Sequence, residues 1–171
     1  MKPIILLSGP VGAGKTTVAR ELVKAAYEPI VHIEGDVFWS FIGKSIGSPK
    51  KNFGVIMSAM TAAAIPFALS GYEIILDFSV PPRYLDRLLK ILKRREIPLD
   101  YVVIRPDKFI CTRRAIERSE GQIKDYSHYE KLYDAFDEVQ KHIIYDNESD
   151  AETIAEHIRE GLGEGIFHFS G

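Results

Sequence analysis

The chain has little cysteine, little net charge and no long hydrophobic run near its start. Its single cysteine, Cys111, cannot form an intrachain disulfide and has no second thiolate for a zinc cluster, which favours a reducing compartment. The net charge of -2 provides no bulk positive field to gather nucleic acid or anionic lipid. The longest early apolar run, Ile4 to Leu7, is too short for a signal-peptide core or a membrane span. We therefore expect a cytoplasmic protein whose partners are neither nucleic acids nor membranes.

The size and composition are those of one globular domain. A chain of 171 residues can bury one hydrophobic core without help from disulfides or a structural metal. Hydrophobic residues at 46% and charged residues at 27% exclude the disordered, collagenous and coiled-coil classes. Any site for an anion must therefore be local, built by a few residues within this domain.

Short apolar runs alternate with helical patterns along the chain. This alternation predicts an α/β fold, with a five-stranded parallel sheet covered by helices on both faces. The predicted strands are Ile4–Ser8, Ile30–Glu34, Tyr72–Phe78, Leu99–Arg105 and His142–Tyr145.

Most of the connecting helices can be placed from periodicity and capping residues. The segment Asn52–Ser70 is rich in Ala and Met, and Pro66 is expected to kink or interrupt it. For the aromatic tail after Gly163, packing on the body is favoured over a subunit contact or disorder. Three further helices are predicted as Asp107–Ser119, Ser127–Gln140 and Asp150–Gly161.

A glycine-rich loop between the first strand and the first helix carries the strongest functional signal. Residues Gly9 to Thr16 fit the pattern G-x-x-x-x-G-K-[ST] in full, which by chance happens with a probability on the order of 1%. The glycines let backbone amides point inward, and the following helix adds its own free amides, which together cradle phosphates. Lys15 is predicted to reach the β- and γ-phosphates, Thr16 to ligate Mg²⁺, and Thr17 to contact the α-phosphate. The predicted nucleotide-binding residues are Gly9, Gly12, Ala13, Gly14, Lys15, Thr16 and Thr17.

A second metal ligand is predicted at the end of the third strand. Asp77 follows the run Ile74-Ile75-Leu76, at the edge of the sheet where an acidic residue can order Mg²⁺ directly or through water. The alternative is that Asp77 caps the helix that begins near Pro81. The histidines, including His32, show no pair spaced for a shared metal, so none is assigned one.

The chain resembles the small P-loop kinases of the nucleoside-monophosphate-kinase-like fold. Four features carry the resemblance: the phosphate loop, the acid Asp36 after strand two, the acid Asp77 at the end of strand three, and the arginine-rich helix with Arg114 and Arg118 after strand four. That group includes gluconate, shikimate and adenylylsulfate kinases and the chloramphenicol phosphotransferases. The resemblance covers about residues 2 to 160, and only the loop is a specific match. It implies one kinase-like domain over residues 1–171, with a lid at about 107–128 and an acceptor-covering segment at about 36–66.

The resemblance assigns a catalytic role to Asp36. In the antibiotic and sugar-acid kinases an aspartate at this place orients the acceptor hydroxyl and takes its proton. The alternative is that Asp36 only caps the following helix, and Glu34 is a possible substitute. Where nucleotide-acceptor enzymes carry an arginine, this chain has Trp39, which can stack on a ring but cannot grip a phosphate. Core packing is the other interpretation of Trp39.

Basic residues accompany the predicted lid and the acceptor-covering segment. Arg114 and Arg118 are four residues apart on a predicted helix, so they would share a face that an anion stabilises. The resemblance implies that they close over the transferring phosphoryl group, and a solvated basic face is the alternative. Lys50 and Lys51, with Lys44, either contact an anionic substrate or are ordinary surface lysines.

These observations lead to one function and two alternatives. We expect an ATP- and Mg²⁺-dependent phosphotransferase acting on a hydroxyl of a small molecule, such as a sugar acid or an antibiotic. The first alternative is a nucleotide-operated ATPase switch that acts on a protein partner. The second is a nucleoside or nucleotide kinase.

Overall fold

The computed structural model describes residues 1–118 and 121–170 and contains one five-stranded sheet. All strand pairs are parallel, and the order across the sheet is β2-β3-β1-β4-β5. The predicted fold class is therefore confirmed. The strands are β1 (Ile4–Ser8), β2 (Ile30–Glu34), β3 (Glu73–Asp77), β4 (Leu99–Ile104) and β5 (Ile143–Ile144).

Helices cover both faces of this sheet among the described residues. They are α1 (Lys15–Lys24), α2 (Val37–Ser40), α3 (Pro49–Leu69), α4 (Leu85–Lys93), α5 (Lys108–Glu117), α6 (Glu130–Asp134) and α7 (Ala151–Gly163). Short 3-10 turns at Pro82–Tyr84, Ser127–Tyr129 and Asp137–His142 complete the connections.

Alternate residues of β1 point into two separate hydrophobic cores. Ile4 and Leu6 belong to the core under α3 and α4, whereas Ile5 and Leu7 belong to the core under α1 and α7. This follows from the two-residue period of a strand, which sends successive side chains to opposite faces. The sheet is therefore buried on both sides, and its carboxyl edge remains open for a site.

Helix α3 differs from its prediction, because it runs without interruption through Pro66. The ring removes one backbone donor, but it lies in the last turn of the 21-residue helix, so only a single hydrogen bond is lost near an end. By length and composition α3 is the one helix among residues 1–118 and 121–170 that could span a membrane. Here it serves as a core helix, with Ile56, Met57 and Met60 buried against the sheet.

The segment predicted as one helix from Ser127 to Gln140 is broken into three short pieces. Tyr133 and Phe136 are three residues apart and would share a face of a continuous helix. Instead Tyr133 packs in the α1 core and Phe136 in the α3 core. The chain must therefore turn between them, and Val139 leaves helical geometry altogether.

Helix α5 is also shorter than predicted. It ends at Glu117, and Arg118 has extended backbone angles. The predicted end at Ser119 lies outside the described residues. Asp107 occupies the N-cap position, but its side chain accepts a hydrogen bond from the Asn147 amide at 2.7 Å instead of capping the helix.

The aromatic tail packs on the body, as predicted. The Tyr101 amide donates to the Phe167 carbonyl at 2.8 Å, and the Phe169 amide donates to the Leu99 carbonyl at 2.9 Å, so the tail runs along β4. Phe167 is buried, and its ring lies where a side chain at Gly161 would clash. The tail therefore completes the core under α7.

Replacing Phe167 by alanine should lower the free energy of unfolding by ~3–5 kcal/mol, because it removes a buried ring from a packed site. Urea unfolding of the two proteins measures the difference. The matched control is Phe109→Ala, since Phe109 is 74% exposed and should change stability by less than about 0.5 kcal/mol. Equal losses in the two variants would show that the tail does not hold the core.

Candidate functional site

The glycine-rich loop lies at the carboxyl end of β1, between β3 and β4. Three of its glycines, Gly9, Gly12 and Gly14, have positive φ angles of 138°, 82° and 91°. A Cβ at Gly9 would lie 2.1 Å from the Ile104 carbonyl oxygen, and one at Gly12 would lie 2.1 Å from the Cys111 carbonyl oxygen. Because backbone atoms cannot move aside cheaply, this loop shape requires glycine at both positions.

Hydrogen bonds from outside the loop hold it in place. The Ser79 hydroxyl donates to the Gly9 carbonyl at 2.7 Å, and the Tyr126 hydroxyl donates to the Val11 carbonyl at 2.8 Å. Lys15 donates from Nζ to the Pro10 carbonyl at 3.0 Å, which keeps its ammonium group at the loop. The sequence analysis assigned no role to Tyr126, because its partner is 115 residues away and no local pattern marks the contact.

Burial lowers the pKa of Lys15, because the surrounding protein disfavours the charged form. The nearby carboxylates of Asp77 and Asp36 act in the opposite direction. A phosphate beside Lys15 would add further negative charge and favour the ammonium form. A bound anion would therefore stabilise the charged form of Lys15.

The two predicted metal ligands meet in the structure. The Thr16 hydroxyl donates to Asp77 Oδ2 at 2.5 Å, and Asp77 is buried. The side chain of Asp77 faces the loop, which argues against the capping alternative. A hydroxyl and a carboxylate are the hard oxygen donors that Mg²⁺ prefers, so these two residues fit the ion. In the described part of the chain no group of three or more His, Cys, Asp or Glu residues forms a metal cluster.

His32 is a neighbour of this pair that the sequence did not identify. Its Nε2 atom lies 3.5 Å from Asp77 Oδ2, and its side chain is largely buried. The one sequence signal for His32 was its place as a lone polar residue among the apolar residues of β2. That pattern is also common in ordinary hydrophobic cores. This Nε2 nitrogen makes no hydrogen bond with a described residue, so His32 is a close neighbour of the Asp77 carboxylate and not its hydrogen-bond partner.

Asp36 is positioned by the turn that follows β2. The Gly35 amide donates to the Asp77 carbonyl at 2.8 Å, and a Cβ at Gly35 would lie 2.5 Å from the Phe78 ring. Asp36 occupies the N-cap position of α2 but makes no capping hydrogen bond. Glu34, the possible substitute, is instead 3.5 Å from Arg20 in an ion pair.

Partial desolvation raises the pKa of Asp36, which remains exposed at the cleft, although Lys15 opposes this shift. Asp77 and Glu34 contribute smaller like-charge effects in the same direction as burial, and Arg118 opposes them. A carboxylate whose pKa is raised toward the working pH is a better proton acceptor than an ordinary surface aspartate.

Asp36 lines a cleft of about 550 Å³ beside the loop. One wall is aromatic, since the Phe53 ring stacks on Phe78 at 5.2 Å and lies 4.9 Å from the Tyr84 ring, centroid to centroid. Trp39 also lines the cleft and is 36% exposed, so it is not a core residue. The cations that line the cleft are Lys50, Arg83 and Arg118.

The two predicted lid arginines line different pockets. Arg114 lines a pocket of about 260 Å³ together with Gly14 and Thr17, on the nucleotide side of the loop. Arg118 lines the cleft of Asp36. The Arg118 amide still donates to the Arg114 carbonyl at 3.2 Å, so the two residues are one helical turn apart, although Arg118 itself follows the last residue of α5.

The buried thiol of Cys111 gives a direct test of the packing behind the loop. Burial raises its pKa to about 11, so at about pH 8 roughly one thiol in a thousand would be ionised and reactive. We expect iodoacetamide to leave the native protein unmodified and to label it fully after unfolding in urea. Mass spectrometry of the intact chain measures the label. Rapid alkylation of the native protein would show that the segment against Gly12 is open.

The family comparison agrees with this geometry. A family model described as an AAA domain, AAA_33, matches residues 4–140. The chain belongs to this AAA-domain family. No curated protein sequence matches it.

Solved structures show that this AAA-domain chain has the fold of small P-loop kinases, as the sequence predicted. The APS kinase of Mycobacterium tuberculosis, determined in complex with AMPPNP and APS, has a TM-score of 0.76 and 14% identity, covering 95% of this chain and 98% of that chain. A gluconokinase from Sinorhizobium meliloti 1021 has a TM-score of 0.68 and 16% identity, with 95% and 92% covered. The tunicamycin resistance protein of Deinococcus radiodurans has a TM-score of 0.67 and 20% identity, with 95% and 96% covered. At these identities the likeness concerns the fold alone.

Proposed function

We propose that this protein transfers the γ-phosphoryl group of ATP to a hydroxyl of a small molecule. One observation carries the proposal: a cleft lined by Asp36 opens beside a complete phosphate loop. Lys15 and Asp36 are close enough for each to affect the pKa of the other. A nucleotide on the loop and an acceptor in the cleft would therefore be neighbours. The similar solved structures include kinases of small molecules, which supports this assignment.

The loop residues bind and orient the triphosphate. Backbone amides from Gly9 to Gly14 point at the phosphates, and Lys15 spreads the negative charge of the transferring group. Thr16 and Asp77 would hold Mg²⁺, which neutralises phosphate charge when bound. On the far side, Thr17 and the pocket around Arg114 receive the rest of the nucleotide.

Asp36 prepares the acceptor. Its carboxylate accepts a hydrogen bond from the acceptor hydroxyl and takes the proton as the oxygen attacks the γ-phosphorus. The bond between that phosphorus and the β–γ bridging oxygen breaks, and ADP leaves with the bonding electrons. The aromatic wall formed by Phe53, Phe78 and Tyr84 holds the acceptor and keeps water away.

The arginines work from opposite sides of the reacting group. Arg114 approaches from the nucleotide pocket and Arg118 from the acceptor cleft. Closure of the segment 107–128 would bring both toward the transferring phosphoryl group and exclude water as a competing acceptor. We place the enzyme in the cytoplasm, where the free thiol of Cys111 is stable.

Acceptor dependence tests the proposal. ATP consumption should be slow for the protein alone and faster with one class of compound from a library of sugar acids, antibiotics and nucleosides. Mass spectrometry should then show one added phosphate on that compound. Hydrolysis stimulated by a protein partner, with no phosphorylated small product, would instead identify an ATPase switch. Selective phosphorylation of nucleoside monophosphates would contradict the assignment made from Trp39.

A further inference from the structure

We infer that the acceptor carries a phosphate group, which binds in a basic groove next to the cleft, away from the hydroxyl that reacts. The groove lies between the start of α3 and the first turns of α4 and has a volume of about 930 Å³. Its cations are Lys50, Lys51, Arg83, Arg87 and Lys90, and Asp86 is the acidic residue on its wall. This inference rests on the proposed kinase function and specifies its substrate class.

The positive charge of the groove is not neutralised by the protein. Among residues 1–118 and 121–170, the ion pairs within 4.0 Å include none of its five cations. Other basic side chains, such as Arg20, Arg105 and Arg159, do have carboxylate partners. In a chain of net charge -2 this is a local excess of positive charge. A phosphate dianion is the kind of ligand that such an excess favours.

Arg87 is exposed and lies next to the backbone of α3. Gly54 is buried on α3, and a Cβ there would lie 2.1 Å from Arg87 Nη1. The guanidinium therefore lies against the α3 backbone, and a larger residue at position 54 would make it shift. Glycine inside a helix costs about 1 kcal/mol relative to alanine, so this close approach is made at the expense of helix stability. A guanidinium group can bind phosphate through two parallel hydrogen bonds.

Lys50 and Lys51 are in an unfavourable position for the helix itself. Both lie in the first turn of α3, which contains no acidic residue. Positive side chains at this end are unfavourable, because the helix dipole is positive there. An anion in the groove would reverse this effect, which gives the two lysines a reason to be present.

The groove and the cleft are continuous. Lys50, Arg83 and Tyr84 line both of them. At this junction the Arg83 guanidinium lies 5.1 Å from the centroid of the Tyr84 ring. A molecule whose hydroxyl is at Asp36 can therefore extend past Arg83 and place its phosphate near Arg87. Trp39 lines the cleft and not the groove. The lack of an arginine at position 39 is therefore compatible with a phosphate that binds in the groove.

Binding of inorganic phosphate tests the site without requiring catalysis. The protein is first saturated with AMPPNP and Mg²⁺, so that the loop is occupied, and is then titrated with phosphate in a calorimeter. The double variant Arg87→Gln/Lys90→Gln should bind phosphate at least ~10-fold more weakly, which corresponds to the loss of one charge-assisted contact. The matched control is Arg94→Gln/Arg95→Gln, which removes the same charge from exposed positions that do not line the groove.

Unchanged binding in the groove variant, an equal loss in the control, or no phosphate binding by the loaded wild-type protein would overturn the inference.

A panel of matched acceptors then connects the groove to the reaction. Gluconate and 6-phosphogluconate, ribose and ribose 5-phosphate, and a 5′-hydroxyl oligonucleotide are compared as acceptors. We expect the phosphorylated members to be preferred, and the groove variant to lose that preference through a higher KM.

Equal use of both members of each pair would refute the inference but would leave the kinase function supported. A preference for the oligonucleotide would also refute the inference, because it would show that the acceptor is the 5′-hydroxyl end of a nucleic acid. Phosphate binding in the groove without transfer to any compound would instead refute the kinase function.

Discussion

Replacing Lys15 by methionine should slow phosphoryl transfer by at least ~10²-fold, the loss typical when one preorganised charge-stabilising donor is removed. Lys15 lies at the phosphate loop, where burial lowers its pKa and its Nζ atom donates to the Pro10 carbonyl of the same loop. Methionine keeps most of the volume of the side chain but removes its charge and its hydrogen bond to the Pro10 carbonyl. An assay that couples ADP release to NADH oxidation measures the rate.

The matched control for this experiment is Lys24→Met at the other end of α1. Lys24 is exposed and pairs only with Glu21 on its own helix, so its removal should leave the rate unchanged. Urea unfolding of both variants shows whether the fold is intact. A Lys15→Met protein that is folded and as active as the wild type would contradict the assigned role.

Replacing Asp36 by asparagine should lower acceptor-dependent transfer by ~10²–10⁴-fold, because asparagine cannot take the proton of the hydroxyl. Asp36 makes no capping hydrogen bond, so stability should be preserved. Nucleotide affinity should also be preserved, since Asp36 lines the acceptor cleft and not the nucleotide pocket. Steady-state kinetics with the acceptor and calorimetry with AMPPNP separate the two effects.

The pH profile gives a second measurement of the same residue. A general base works when it is deprotonated, so activity is lost as the pH falls through its pKa. Burial raises the pKa of Asp36, so the acidic limb of kcat/KM should lie above the ordinary aspartate value of about 3.9. Glu34→Gln should retain this limb, because Glu34 pairs with Arg20. If Glu34→Gln lost activity and Asp36→Asn kept full activity, the general base would be Glu34 and not Asp36.

The sheet and the phosphate loop could be predicted because their signals are local. Buried parallel strands appear as short apolar runs, and the loop has a fixed spacing between its glycines and Lys15. The pairing of Thr16 with Asp77 followed from a general rule, since the carboxyl ends of neighbouring parallel strands meet at one edge. Those predictions needed no knowledge of how distant segments pack.

The errors occurred where tertiary packing overrides local pattern. The segment after Ser127 has helical periodicity, yet Tyr133 and Phe136 enter different cores and the helix must break. Arg114 and Arg118 are one helical turn apart, yet they line different pockets. The sequence could not predict these outcomes, because each depends on how distant segments pack against the two faces of the sheet.

The acceptor site was predictable only in part. Asp36 could be proposed from its place after β2, whereas the aromatic wall is assembled from α3, β3 and the turn before α4. Lys50 and Arg83 are 33 positions apart in the sequence, and only the fold shows that both line the cleft and the groove.

Nucleotide uptake by the purified, folded protein tests the central claim most directly. Calorimetric titration with AMPPNP in the presence of Mg²⁺ should show one bound molecule for each chain, and Lys15→Met should weaken that binding. If neither AMPPNP nor the corresponding guanine nucleotide binds the folded wild-type chain, the loop does not hold a triphosphate and the proposed reaction cannot occur at this site.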